Sequence, residues 1–208
     1  MRVLILGATG GTGLQLVRRA LYSGHEVSAL VRNAAGLRDF DGQVRITVGD
    51  PLDQVQLRDA LQGQDAVLSG LGPRVPVAKS DAHLLRDFAT SLTAAMEEAA
   101  VRRLVIISSA FLFKDSIVPP VYLLGRLMFP AVVKDTIDLE SIVQKSNTDW
   151  TIVRPPQLTD NSYTGKYREL VGHLPFLGLK ISRADVADYF LKALHLPPVI
   201  HKIVGISN

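Results

Sequence analysis

The stretch Gly7-Ala8-Thr9-Gly10-Gly11-Thr12-Gly13 constrains this chain more than any other. It comes directly after the apolar run Val3-Leu4-Ile5-Leu6 and opens a segment in which Leu14, Val17 and Leu21 share one helical face. A chain that turns this sharply from strand to helix needs residues without a Cβ, and the N–H groups of the helix N-terminus then face an anion such as a pyrophosphate. Strand, glycine turn and helix in this order are the context in which a glycine-rich segment reads as a dinucleotide fingerprint. The spacing is G-x-x-G-x-x-G rather than the commoner G-x-G-x-x-G, and a turn used only for packing is the alternative. On the first reading Gly7, Thr9, Gly10, Gly11, Thr12 and Gly13 bind the cofactor, with Gly10, Thr12 and Gly13 at its pyrophosphate.

The rest of the chain repeats the pattern. Val27 to Val31, Ala66 to Leu68, Leu104 to Ile107, Thr151 to Val153 and Ile203 to Ile206 are nearly continuous apolar runs, as expected of parallel strands covered on both faces. Val44 to Val48 alternates, which places it nearer a sheet edge. Helical patterns lie between: Leu84, Phe88, Leu92 and Met96 share a face within Asp81 to Ala100, and Ser182-Arg183-Ala184-Asp185 opens the last helix, to Leu194, with a capping box. Strands alternating with helices throughout predict an α/β protein with a doubly wound parallel sheet. With no linker or repeat, residues 1–208 read as a single domain, with small substrate-side insertions around 110–133 and 157–180.

Composition removes several alternatives. A chain of 208 residues with 47% apolar content buries a self-sufficient core. It has no Cys, so disulfide, thiolate-metal and Cys-nucleophile chemistry are excluded. The five His show no metal-ligand spacing, so no metal is expected. The 23 Lys and Arg against 20 Asp and Glu are scattered rather than gathered in a stripe, which argues against nucleic acid as a partner. Arg126, Pro119, Pro120 and Pro130 interrupt the most lipid-like stretch, Ile117 to Val133, so no integral membrane span is expected. The start of the chain lacks the features of a secretory signal, and a cytoplasmic monomer or small homo-oligomer is the reading.

In an open parallel sheet the ligand lies beyond the carboxyl ends of the strands. After the second strand, where an NAD site places an acid on the ribose 2′-OH, this chain has Arg32, with Arg38 further on. A guanidinium there suits a 2′-phosphate by charge and by its fork of donors, favouring NADP(H), and a solvated surface Arg is the alternative. After the third strand, Asp50 and Leu52 are placed to border an adenine, with a plain turn role for Asp50 equally open. Gly70, Leu71 and Gly72 after the fourth strand pass the cofactor ribose. Ser108 and Ser109 follow the fifth, and Pro155 and Gln157 the sixth.

Gly7-x-x-Gly10-x-x-Gly13, Leu30-Val31-Arg32, Val48-Gly49-Asp50, Gly63-Gln64-Asp65-Ala66-Val67 and Ser182-Arg183-Ala184-Asp185-Val186-Ala187 together resemble the atypical short-chain dehydrogenase/reductases, whose fold is the NAD(P)-binding Rossmann fold. More narrowly, Ser108-Ser109-Ala110-Phe111-Leu112, Pro155 to Asp160 and Thr164-Gly165-Lys166-Tyr167 are similar to segments of the biliverdin-IXβ reductase (flavin reductase) family. That resemblance implies an NADPH-dependent reductase passing hydride to a flavin or linear tetrapyrrole, with Ser109 beside the nicotinamide as the catalytic residue and the Pro155 region nearby. Two histidines of the family's pattern align with Thr136 and Gln157 here. The superfamily's Tyr-x-x-x-Lys is not matched by Tyr122 to Arg126 or by Tyr163 to Lys166. Hydride delivery to a conjugated acceptor, protonated from solvent, needs no such base. The nitrogen-metabolite-repression regulators share the fold and lack the pair, so a non-catalytic NADP(H)-binding redox sensor is the alternative. The apolar stretch 117–133 is open to three roles: an acceptor pocket, core packing or a subunit contact.

Overall fold

A computed structural model describes residues 1–72, 83–113 and 130–208. The strands β1 (Arg2–Leu6), β2 (Glu26–Val31), β3 (Val44–Val48), β4 (Ala66–Ser69), β5 (Arg103–Ile107), β6 (Asp149–Arg154), β8 (Arg168–Val171) and β10 (Lys202–Ser207) form one sheet in the order β3-β2-β1-β4-β5-β6-β10-β8. Every pairing is parallel except β10 with β8. The chain leaves β1 toward one edge and later returns to β4 on its other side. The crevice where the strand order reverses therefore opens at the carboxyl ends of β1 and β4. A separate parallel pair, β7 (Gln157–Thr159) with β9 (Lys180–Ser182), lies beyond the end of β6.

The continuous apolar runs are explained by burial on both faces. Along β1, Val3 and Ile5 join the core beneath α1 (Gly11–Tyr22) and α5 (Arg183–Leu194), while Leu4 and Leu6 join the core beneath α2 (Gln54–Leu61), α3 (Leu84–Glu98) and α4 (Pro130–Lys145). β5 divides in the same way, with Val105 and Ile107 against Leu104 and Ile106. The alternating β3 is an edge strand, as its pattern predicts.

The helix faces differ in detail from the sequence pattern. α1 buries Leu16, Val17 and Ala20, and Leu14 and Leu21 flank that face half-buried. α3 buries Leu85, Phe88, Ala89, Leu92, Ala95 and Met96, leaving Leu84 half-buried at the crevice. Ser182 caps α5 by accepting from Asp185 N–H at 3.0 Å, but the reciprocal bond of a capping box is absent: Ser182 N–H donates to Asn208 Oδ1 at 3.1 Å. The Asp185 carboxylate instead gathers the 164–165 turn and the last residue (Asn208).

Of the apolar stretch 117–133, residues 117–129 lie outside the described residues, as do Tyr122 and Arg126, and Pro130 to Val133 open α4. Among the described residues no helix is long and apolar enough to cross a membrane.

Candidate functional site

The glycine turn is built by close approach. Gly7 ends β1 at φ +73°, a left-handed conformation, and a Cβ there would stand 2.7 Å from Leu71 N. Its carbonyl accepts from Gly10 N–H at 2.9 Å, and the first bond of α1 runs from Leu14 N–H to Gly10 O at 2.8 Å. The N–H groups of Gly11, Thr12 and Gly13 therefore have no acceptor within the helix. Gly10 supplies no side-chain cap and the first turn holds no acid, so the positive end of α1 is left for an outside anion.

That helix end opens on a cavity of about 530 Å³ across the carboxyl ends of β2, β1, β4 and β5. Most of the predicted residues meet on its wall. Gly7, Thr9, Gly10, Gly11 and Thr12 form the floor, Arg32 stands at the β2 end, and Asp50 with Leu52 borders it from the β3 side. Gly70, Leu71 and Gly72 follow β4, and Ser108 stands at the far end, after β5. Arg32 is exposed and, among the described residues, makes no ion pair. The Asp50 carboxylate accepts from Leu52 N–H at 3.0 Å, as in a turn, and the residue also lines the cavity.

Five predicted residues are not on this wall. Gly13 lies beneath it, packed on Gly7. Arg38 is exposed in the last turn of the 3-10 segment Ala34–Phe40. Ser109 caps the short turn Ala110–Leu112, its Oγ accepting from Phe111 N–H at 3.3 Å. Pro155 is buried, its carbonyl accepting from Ala110 N–H at 3.0 Å. Gln157 is exposed at the start of β7 and joined to Leu179 O through its N–H at 3.3 Å.

The cavity also has walls that sequence reasoning did not anticipate. Asn33 caps the 3-10 segment after Arg32, while Leu84, Ile107 and Leu158 supply apolar surface. Arg183 is the most informative of them. It is the first residue of α5, it pairs with Asp160 at 2.7 Å, and it lies so close over the glycine turn that a Cβ on Gly11 would meet its Nε at 2.8 Å. A second guanidinium thus stands beside the free N-terminus of α1. The available signal was Gly11 itself, a glycine beyond those the motif requires.

A larger hollow of about 950 Å³ lies at the amino ends of β5, β6 and β10, lined by Glu97, Lys145 and His201 among others; none of the predicted residues reaches it. Tyr163 and Tyr167 are committed away from the cavity. Tyr163 stacks on the Arg19 guanidinium at 3.8 Å, and Tyr167 OH donates to Asp188 at 2.8 Å. Burial and that carboxylate push the Tyr167 phenol far above its ordinary pKa.

This geometry has relatives. The uncharacterized protein YwnB of Bacillus subtilis is 26% identical over 202 residues, covering 93% of this chain and 91% of the relative. A short-chain dehydrogenase/reductase from Veillonella parvula, solved in complex with NADP, superposes with a TM-score of 0.83 at 19% identity over 100% of this chain and 94% of that one. ChuY, an anaerobillin reductase from Escherichia coli O157:H7, gives 0.81 at 22% identity, over 100% and 97%. Both structures share the fold. The glycine turn, the uncapped helix end and the crevice all fall within residues 7–197, the span that matches the NAD(P)H-binding family, and the chain belongs to that family.

Proposed function

We propose that the protein is an NADPH-dependent reductase that passes hydride to a flat conjugated acceptor, a flavin or a linear tetrapyrrole. Arg32 carries this reading. It stands on the cavity wall at the end of β2, unpaired among the described residues, where an NAD site would hold an acid. The NADP complex of the Veillonella parvula protein and the reductase activity in the name of ChuY support the same class, and so does the resemblance of Ser108 to Leu112 and Pro155 to Tyr167 to the biliverdin-IXβ reductase family.

The residues present fit a phosphorylated dinucleotide. A Cβ at Gly7 or Gly13 would strike the backbone of the turn that shapes the cradle, the N–H groups of Gly11 and Thr12 face it, and Arg32 supplies a fork for a 2′-phosphate. Bound there, the cofactor supplies hydride. Leu84, Ile107 and Leu158 supply apolar wall to the cleft. The described wall contains no tyrosine or lysine, which suits an acceptor protonated from solvent. On the acceptor side, the loop joined to Gln157 exposes Phe176, Leu177 and Leu179, apolar surface for a flat ring system. Thr136, aligned with a family histidine, is buried and donates to Val132 O at 2.7 Å, which weighs the choice toward a flavin.

Two measurements test this reading. Purified protein with NADPH and a panel of FMN, riboflavin, biliverdin isomers and quinones should lose absorbance at the nicotinamide band with at least one acceptor. NADPH binding without turnover across the panel would move the assignment to a non-catalytic sensor. Arg32→Ala should weaken NADPH by roughly 10- to 150-fold, the size of a charge-assisted contact, and leave NADH nearly unchanged. Equal losses in titration calorimetry would remove the 2′-phosphate role, and adding Arg38→Ala exposes any share held by Arg38.

A further inference from the structure

Behind the far end of the cleft lies a buried polar chain. The Ser108 hydroxyl donates to Glu140 Oε1. Glu140, on α4 and 3% exposed, also takes the Arg154 fork, Nε to Oε1 at 2.9 Å and Nη2 to Oε2 at 2.5 Å. Arg154 ends β6 and is 9% exposed, with its guanidinium 4.5 Å from the centre of the buried Phe113 ring. Ser108 itself is pinned to β6 by its N–H on Val153 O at 2.7 Å. Every member is held by another, and of these residues only Ser108 lines the cavity.

The direction of these bonds has a chemical consequence. A serine hydroxyl has one proton to give and two lone pairs with which to accept. Glu140 receives both bonds of the Arg154 fork, so toward Ser108 too it is an acceptor, and the single hydroxyl proton is spent on it. What the oxygen can still offer a ligand in the cleft is lone-pair density. A buried ion pair adds little net stability over well-packed apolar groups; here it gives the Ser108 O–H a fixed direction.

We propose that Glu140 and Arg154 are positioning residues that lock Ser108 as a hydrogen-bond acceptor, so that this end of the cleft selects an N–H donor, the carboxamide N–H of a nicotinamide. The inference rests on the cofactor assignment above and deepens it. It moves the functional serine from Ser109, whose oxygen caps a turn, to Ser108. It also reverses the polarity of a serine that donates to a substrate carbonyl: Ser108 cannot donate while Glu140 holds its proton.

Binding alone tests it. The probes are NADP, its 3-acetylpyridine analogue, which keeps the carbonyl and replaces the carboxamide NH₂ by methyl, and 2′-phospho-ADP-ribose, which lacks the ring. By titration calorimetry the wild type should prefer NADP over the analogue by about three- to tenfold, the value of one hydrogen bond. Ser108→Ala should bring that ratio to about one and leave 2′-phospho-ADP-ribose unchanged. Glu140→Gln, which frees the hydroxyl to turn, should lower the ratio with Ser108 still in place. If that variant fails to fold by circular dichroism, the Ser108→Ala ratio decides alone. A wild-type ratio near one, or a preference that survives Ser108→Ala, overturns the proposal while binding of 2′-phospho-ADP-ribose keeps the dinucleotide site. Failure of all three probes to bind overturns the cofactor assignment itself.

Discussion

Asp185→Ala should remove about 3–5 kcal/mol of folding stability, a loss typical of unpairing a buried charged network. The carboxylate is fully buried and accepts from Thr164 N–H, Thr164 Oγ1 and Gly165 N–H, each at 2.9 Å. It also accepts from Ser182 Oγ at 2.9 Å and Asn208 Nδ2 at 3.1 Å. Alanine leaves these donors facing each other without water or an acceptor. For a chain of this size the melting temperature should fall by roughly 10–15 °C, measured beside urea unfolding at pH 7. Asp185→Asn keeps the shape but turns an amide donor toward other donors, so it should recover little.

The pH dependence separates this charge from simple packing. Burial raises the Asp185 pKa, and the bonds from Asn208, Thr164, Gly165 and Ser182 outweigh it, so the folded value lies below the ordinary one. On acidification the unfolded chain therefore takes up this proton first. The stabilisation is fully present above the unfolded value, near pH 4, and is lost as pH falls through the lowered folded value. Wild-type and Asp185→Ala stabilities should converge in acid and stand furthest apart near neutrality. A variant within about 1 kcal/mol of wild type at pH 7 would show that the network carries no such weight. Because the same carboxylate anchors the first turn of α5, its loss should also loosen Arg183 over the glycine turn.

The sheet was legible because both faces of its strands are buried, which writes them as continuous apolar runs, and β3 was legible as an edge because one of its faces is not. α4 was hidden by the chemistry of its inward face. Its buried residues are Asp135, Thr136, Leu139, Glu140 and Val143, a regular helical stripe that is largely polar and so escapes hydrophobic periodicity. The polarity has uses no local pattern records: Asp135 caps α3 from a distance, accepting from Leu85 and Arg86 N–H at 2.9 and 3.0 Å, and Glu140 holds Ser108 and Arg154. β8 was hidden because all of its residues are exposed. At the site, the glycine turn and Arg32 were readable because they sit next to the strands that place them. Arg183 was not, because it arrives from the last helix, and whether Ser108 or Ser109 meets the cleft depends on which hydroxyl the following turn consumes.

The glycine turn makes the second large effect predictable. Gly13→Ala should weaken NADPH by at least about 100-fold, or about 2.7 kcal/mol, and cost a further 1–3 kcal/mol of folding stability as overpacking. A Cβ at this position overlaps the Gly7 carbonyl oxygen and stands 2.6 Å from its carbon and 2.7 Å from Ala8 Cα. These are backbone atoms of a turn that cannot retreat, since Gly7 already lies against Leu71 and its carbonyl holds Gly10 N–H at 2.9 Å. The N-terminus of α1 must move instead, taking the free N–H groups of Gly11 and Thr12 out of line with the cavity. Two other glycines set the scale. At Gly10 the nearest atom to a Cβ is Gly7 O at 3.3 Å, so Gly10→Ala should cost far less. Gly24 has φ +74° with open space around it, so Gly24→Ala should lower stability through backbone strain and leave NADPH binding untouched. Calorimetric titration of the three variants against urea unfolding separates the effects. Wild-type affinity in a folded Gly13→Ala protein would mean that the helix end does not hold the pyrophosphate.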